Sequence, residues 1–330
     1  MQRIIVSRSR ISPPPPSRLA QATTTTTTIA HHLSRKALLA GREMTTVSTL
    51  GPAPWRKIFL DHVQTMPSPE FSLGSVRMTV GGNGVVAYAP RSRTCVFRGL
   101  FADLPVNPKN EAELNPSIYE SDFLTLTTDR RMDKMAELFG VDAEDGEGDE
   151  GRLGGSGGGA PVEATFWVRE TSTQWRVRGK AYVLAPDVEK GPEGRQVIST
   201  LTARMRRRNK GDSPDGRRWS FGREVTAHFG NLSPQMRGTF RNPPPGTPVA
   251  LPVRDERLGL GQKVEDLEDE VARSNFRVVV VVPVEVDRAD LSDPERARRW
   301  LYTFVGGGKT ESTTRGGSIE DGWEKVEVWP

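Results

Sequence analysis

Positions 81 to 84 read Gly-Gly-Asn-Gly between the runs FSLGSVRMTV and VVAYAP. Glycine, and asparagine less readily, adopts positive φ at little cost, so this tetrad between two strand-like runs specifies a tight antiparallel hairpin. Strand-like runs recur along the chain: RTCVFRG at 93–99, SDFLTLTTD at 121–129, PVEATFWV at 161–168, QWRVRGKAYVL at 174–184, NFRVVVVVP at 275–283 and the terminal WEKVEVWP. The second of the central pair alternates Trp175 and Val177 with Gln174, Arg176 and Arg178, the two-residue period of a half-buried strand. Helical signals are fewer. WRKIFLDHVQ sets Trp55, Ile58, Phe59 and Val63 on one face after Pro54, and MDKMAELFG is closed by Gly140. Further helical stretches fall near Val197 to Arg208 and Glu224 to Phe229, and a helical turn is expected at Ser292. Many short strands with hairpin connections predict a mainly β (α+β) fold, one closed or split barrel with peripheral helices. No GxGxxG follows a strand, and the glycines of 154–159 lack the GKS or GKT of a phosphate-binding loop, so neither parallel nucleotide-binding architecture is indicated.

The longest apolar run, Val278 to Val282, suits a buried strand and is far too short to span a bilayer. The chain carries 46 basic and 42 acidic residues, but residues 1 to 42 hold seven of the bases and no acid. The remainder has 39 bases against 42 acids, a net −3, which argues against a general nucleic-acid surface. RMRRRNK at Arg204 to Lys210 is the local exception and reads as a solvated helix end. The single cysteine, Cys95, excludes an internal disulfide framework and a cysteine-based zinc site.

Residues 1–43, with four consecutive prolines, a threonine run and no acid before Glu43, cannot build a core. They are expected to be a disordered leader or a mitochondrial transit peptide, or to precede a true start at Met44. Localisation follows as cytoplasmic, or mitochondrial if the leader is a targeting segment. From residue 52 to 330 a single domain is expected, with disordered insertions at 141–159, acidic then glycine-rich, and at 306–322. Asn242 to Pro248, NPPPGTP, reads as an extended, proline-fixed crossing.

Two basic clusters, Arg93 to Arg98 and the segment ending at Lys134, are each tied to a strand. Converging, they would form a site for a phosphorylated cofactor, since guanidinium forks and ammonium groups grip phosphate oxygens; apart, they are solvated strand edges. His228 suits a capping or core role better than that of a base, and His62 is assigned no chemistry.

In their shared order, RTCVFRG, LTLTTDRRMDK, STQWRVRG, RARRWLY and the closing WEKVEVWP resemble the pyridoxamine 5′-phosphate oxidase-like FMN-binding proteins, more closely a fungal branch of the Alr4036-type group. The resemblance implies a dimeric split β-barrel with FMN at the subunit interface. It places Arg93 and Lys134 on the FMN phosphate, and the Thr94, Cys95, Val96 and Phe97 backbone beside the isoalloxazine ring. Thr127 and Thr128 would make backbone and hydroxyl contacts. Gln174 would meet the polar ring edge, and Arg298 or Arg299 would lie near the ring. Arg98 stands where the oxidases have a lysine near the substrate. It implies in turn oxidation of an amine or alcohol by hydride transfer to flavin N5, with reoxidation by oxygen, in vitamin B6 metabolism. The substrate would be pyridoxamine or pyridoxine 5′-phosphate or a related small molecule. The chain departs from the oxidases in lacking their Tyr, Arg and Ser grip on the substrate phosphate and in placing Met132 and Asp133 before Lys134. The alternatives are an FMN-binding protein without vitamer turnover and a flavin-free dimeric interaction module. No catalytic side chain and no metal is specified.

Overall fold

The computed structural model describes residues 48–141, 153–208 and 217–330; the leader 1–43 and Met44 lie outside them. A first helix, α1 (Arg56–Gln64), leads into β1 (Glu70–Val80) and β2 (Val86–Val96), which pair in full antiparallel register from Glu70 opposite Val96 to Val80 opposite Val86. Their turn is the predicted glycine tetrad: the Gly81 N–H donates to the Val85 carbonyl at 2.9 Å, and Gly84 takes φ 76°. Then come β3 (Tyr119–Glu120), β4 (Leu124–Asp129) and α2 (Lys134–Phe139), which Gly140 ends in the left-handed conformation. A long hairpin, β5 (Gly157–Val168) with β6 (Thr173–Leu184), precedes α3 (Pro192–Thr202) and β7 (Arg206–Arg207). Next are α4 (Phe221–Gly230), capped by the Ser220 hydroxyl, α5 (Pro234–Gly238) and α6 (Glu270–Asn275). The chain ends in β8 (Phe276–Asp290), β9 (Arg298–Phe304), β10 (Ser318–Glu320) and β11 (Trp323–Val328).

The sheet runs β10-β11-β9-β8-β6-β5-β1-β2, with antiparallel neighbours throughout. β8 serves as its spine. One edge follows β6, while the other pairs first with β4, Leu124 opposite Val281, and then with β9, Glu285 opposite Thr303. Pro283 is tolerated in mid-strand because the register shifts beside it, between Arg178 and Gly179. Gly179 is required there, since a Cβ would sit 2.4 Å from the Val282 carbonyl oxygen. The sheet does not close into a continuous barrel. Past the end of β2, the Arg98 N–H donates to the Thr125 carbonyl (2.9 Å) and the Thr125 N–H to the Gly99 carbonyl (3.0 Å), so only a short bridge spans the gap to β4. This is the mainly β split arrangement expected from the hairpin pattern.

The valine run is buried on both faces. Val279 and Val281 pack into an aromatic core with Trp55, Phe59, Phe97 and Trp175, whereas Val278, Val280 and Val282 face the helices through Phe229 and Phe276. Alternation disappears from a sequence when both sides of a strand are covered. Phe59 anchors α1, lying 5.2 Å from Phe166 and 5.4 Å from Trp175, both edge to face.

Several boundaries differ from those expected. The third helix ends at Thr202, and the described part of the basic cluster is not a solvated helix end. Arg206 is buried, bidentate to Asp122 at 2.7 and 2.8 Å and bonded to Glu120 at 2.8 Å, while Arg204 lies 3.3 Å over the Phe304 ring. Carboxylates distant in sequence neutralise this cluster, so spacing could not reveal it. No helix forms at Ser292, whose hydroxyl and N–H instead bond Asp290. Gly157 to Gly159 begin β5, and the 306–322 segment contains β10; residues 142–152 lie outside the described residues. Among the described residues no helix is long and apolar enough to cross a membrane.

Candidate functional site

A cleft of about 620 Å³ opens where β2, β4 and α2 meet the chain that follows α5. Its first wall is assembled by backbone geometry. The Arg98–Thr125 hydrogen bond aligns the end of β2 with β4, and a short turn then starts α2, so Thr94, Arg98, Thr127, Thr128 and Lys134 reach one surface. Cys95 and Val96 contribute to the same lining. Phe97 is directed away from it, into the aromatic core, 5.7 Å from Phe59.

Neither cation on this wall forms an ion pair among the described residues. Among the described residues Lys134 forms no ion pair, and its ammonium donates one hydrogen bond, to Thr128 Oγ1 at 3.2 Å. Burial pulls its pKa below the ordinary 10.5, with Cys95 raising it in part. The same burial pushes the Cys95 thiol up, keeping it protonated. Arg98 makes no side-chain hydrogen bond or ion pair among the described residues, and its Nε is buried without a partner. Desolvation lowers its pKa too. Cations withdrawn in part from water are ordinarily paired, so two half-buried ones without an ion pair on one concave wall make a site suited to an anion.

Arg93 is placed differently. It stands outside the cleft lining, its guanidinium bonded to Ser75 Oγ and to the carboxylate of Glu137, which is 3% exposed on α2. This pair clamps α2 to β1 and β2, and so sets where Lys134 stands at the start of that helix. Gln174, Arg298 and Arg299 also lie outside the lining. Gln174 and Arg299 both sit opposite Ala289, on β6 and β9 either side of β8, and directly opposed residues share a sheet face. Arg299 grips Asp287 at 2.8 and 3.0 Å on that face. Arg298 projects to the other face, over the Trp300 ring and paired with Glu327 at 2.7 Å.

The opposite wall is a strap running from Asn242 to Leu260. Arg131, which the sequence reading passed over, fixes where it begins. Arg131 is bidentate to Asp129 (2.9 and 2.7 Å) and donates to the carbonyls of Phe240 (3.2 Å) and Asn242 (3.0 Å). The Asn275 amide holds the Phe240 carbonyl as well, at 2.8 Å. Neither partner could have been picked out by local spacing, because more than a hundred residues separate Arg131 from the strap. His228 lies outside the cleft, fully buried and neutral, its pKa driven to about 3 by burial and by Arg98. It occupies the core position expected of it. His62 accepts from Trp175 Nε1 at 3.3 Å.

Residues 52–185 match the family model described as pyridoxamine 5′-phosphate oxidase, FMN-binding domain. These residues form a domain of the pyridoxamine 5′-phosphate oxidase-like FMN-binding type, and the cofactor of such a domain is FMN. The match includes the whole cationic wall and stops before the strap. Among solved structures, a pyridoxamine 5′-phosphate oxidase-related FMN-binding protein of Nostoc punctiforme is similar over 85% of this chain and 100% of its own, at 17% identity and a TM-score of 0.47. PhzG from Burkholderia lata, in complex with tetrahydrophenazine-1-carboxylic acid, is similar over 83% of this chain and 90% of its own, at 13% identity and TM-score 0.32. A general stress protein 26-related protein of Clostridium acetobutylicum, of the pyridoxinephosphate oxidase family, covers 72% of this chain and 90% of its own, at 7% identity and TM-score 0.26. No curated protein matches the chain.

The residues present fit FMN. A phosphate needs fixed cations, and the Lys134 ammonium and the Arg98 guanidinium, neither in an ion pair among the described residues, both belong to the cleft wall. The Thr94 and Thr127 hydroxyls add neutral polar groups on the same wall.

Proposed function

We propose that the protein is an FMN-dependent oxidoreductase that oxidises an amine or alcohol carbon of a small molecule, with the flavin in the cleft of β2, β4 and α2. The supporting observation is the pair of counter-ion-free cations, Lys134 and Arg98, on the wall that belongs to the FMN-binding domain. Lys134, Arg98 and the Thr128 hydroxyl hold the phosphate. Arg93 acts through Glu137 by locking α2.

Bound FMN supplies the redox chemistry, taking a hydride equivalent from the substrate and passing two electrons to oxygen. The substrate also loses its N–H or O–H proton, leaving an imine or carbonyl, and oxygen gains two electrons and two protons as hydrogen peroxide. The chain's task is to orient the substrate, exclude water and supply fixed positive charge. Neither His62 nor His228 lines the cleft.

In this proposal the protein works as a homodimer, with the flavin at the interface and a second copy presenting Gln174 and Arg299. Their common position on one sheet face, away from their own chain's cleft, supports this. The visible spectrum of the purified protein before and after FMN addition tests the cofactor site. Oxygen consumption with pyridoxamine and pyridoxine 5′-phosphate, and with unphosphorylated amines and alcohols, tests the reaction. Retained flavin bands with peroxide formation support the proposal; no retained flavin after soaking overturns it.

A further inference from the structure

The strap facing Arg98 and Lys134 has the opposite chemistry. Its lining residues carry no charge and include Pro245, Pro248, Val249, Leu251, Val253 and Leu260. The charges within the same stretch are outside the lining: Arg257 is paired with Asp255 at 2.9 Å, and Arg254 does not reach the cleft. Three of these apolar side chains are unusually bare, with Val249 at 102% relative exposure, Leu260 at 80% and Leu251 at 56%. Grouped exposed aliphatics cost free energy in water and mark a surface that is covered in use. Here they line a concavity whose other wall is the flavin site, and its volume is that of a small-molecule pocket.

Charge counting limits what can enter. The lining carries two cations, Arg98 and Lys134, and one carboxylate, Asp129, which Arg131 already neutralises. The FMN phosphate takes the positive charge that remains. A second phosphate, on the substrate, would face prolines and aliphatics and be desolvated without a partner, which is strongly unfavourable. The rings of Pro245 and Pro248 present flat, stiff C–H surfaces that bind an apolar ring with little loss of side-chain entropy.

We propose that the strap from Asn242 to Leu260 is the substrate wall, and that it takes an apolar, uncharged ring compound bearing no phosphate. This rests on the flavin assignment of the cleft. It also gives the strap a mechanistic part, since an apolar cover keeps water from the redox centre and strengthens the pull of Arg98 and Lys134 on negative charge.

The experiment uses the full chain loaded with FMN. Neutral 2-naphthol is titrated while the bound-flavin absorbance is followed, beside pyridoxamine 5′-phosphate and inorganic phosphate. Saturable perturbation by 2-naphthol is expected, with the vitamer phosphate giving no more than inorganic phosphate. Val249→Asp and Leu251→Asp, both at exposed positions that the fold tolerates, should weaken 2-naphthol at least ~10-fold, with FMN affinity held within about twofold. Tighter binding of pyridoxamine 5′-phosphate than of 2-naphthol overturns the proposal. So does unchanged 2-naphthol affinity in both variants. If the same variants split an oligomer in size-exclusion chromatography without changing 2-naphthol binding, the strap is an interface between copies and the proposal fails. A protein that takes up no FMN sinks the flavin assignment alone. The strap is then judged by 2-naphthol fluorescence on the apoprotein: saturable binding lost in the aspartate variants supports it, and no binding overturns it.

Discussion

Lys134→Met keeps most of the aliphatic stem and removes the ammonium. In the folded chain that ammonium has one hydrogen bond, to Thr128 Oγ1 at 3.2 Å, and no ion pair among the described residues. A hydrogen bond to a charged group contributes about 1.5–3 kcal/mol. At 1.4 kcal/mol per decade, the variant should therefore bind FMN about 10- to 150-fold more weakly. The apoprotein should be as stable as the parent or more so, because burial already disfavours the charge and no protein carboxylate is left behind. Quenching of flavin fluorescence on titration with apoprotein gives the affinity, and urea unfolding gives the stability. The pH dependence has a definite sign. Burial lowers the Lys134 pKa below 10.5, and the phosphate needs the charged form, so affinity is full near neutrality and falls as pH rises through the lowered value. The methionine variant should lack that alkaline fall. An FMN affinity within about threefold of the parent, or an apoprotein that unfolds much earlier, would refute Lys134 as an unspent phosphate cation and leave it a packing residue.

Arg93→Ala should act first on stability, because it strands the Glu137 carboxylate, 3% exposed. A cost of about 3 kcal/mol is expected, the low end for a broken buried pair since Arg93 is itself partly exposed; Glu137→Gln in the same chain should recover part of it in urea unfolding. Gly99→Ala places a side chain at φ 97°, with its Cβ 2.2 Å from Pro105 Cδ, and should cost about 2–4 kcal/mol and loosen the bridge to β4; the midpoint of thermal unfolding reads this. His228 titrates near 3 in the fold against 6.5 unfolded, so between those values the unfolded chain binds a proton that the folded chain refuses. Stability falls with acidification across that window. Glu224, raised above 4.5 by the same burial, opposes part of the slope, so the comparison is with His228→Leu, which should show a shallower loss.

Local signals carried most of the architecture. The Gly81 to Gly84 turn, the alternation around Trp175 and the unbroken valines each report a short-range constraint, namely backbone φ, a half-buried face and a face covered twice. Elements whose environment is set from afar were misjudged. Arg206 looks solvated until Glu120 and Asp122 are brought to it, and Gly157 and Gly158 look like linker until Val183 and Tyr182 pair with them. At the site, Arg98 and Lys134 are legible as basic residues beside strands, while Thr94, Cys95, Val96, Thr127 and Thr128 enter only through the family resemblance; all seven line one cleft. Arg131 and the strap were not, because their connection spans roughly a hundred residues and runs through backbone carbonyls, which no side-chain pattern encodes.

By itself the sequence determined the antiparallel hairpins, the covered central strand and the presence of cations beside β2 and β4, since each depends on neighbours a few residues away. Only the tertiary structure decided which cations remain unpaired. Arg93 and Lys134 are both basic residues beside strands, yet Glu137 pairs with the first, while the second forms no ion pair among the described residues. A charge is available to a ligand only if folding brings no counter-charge within reach, and that is a property of long-range packing.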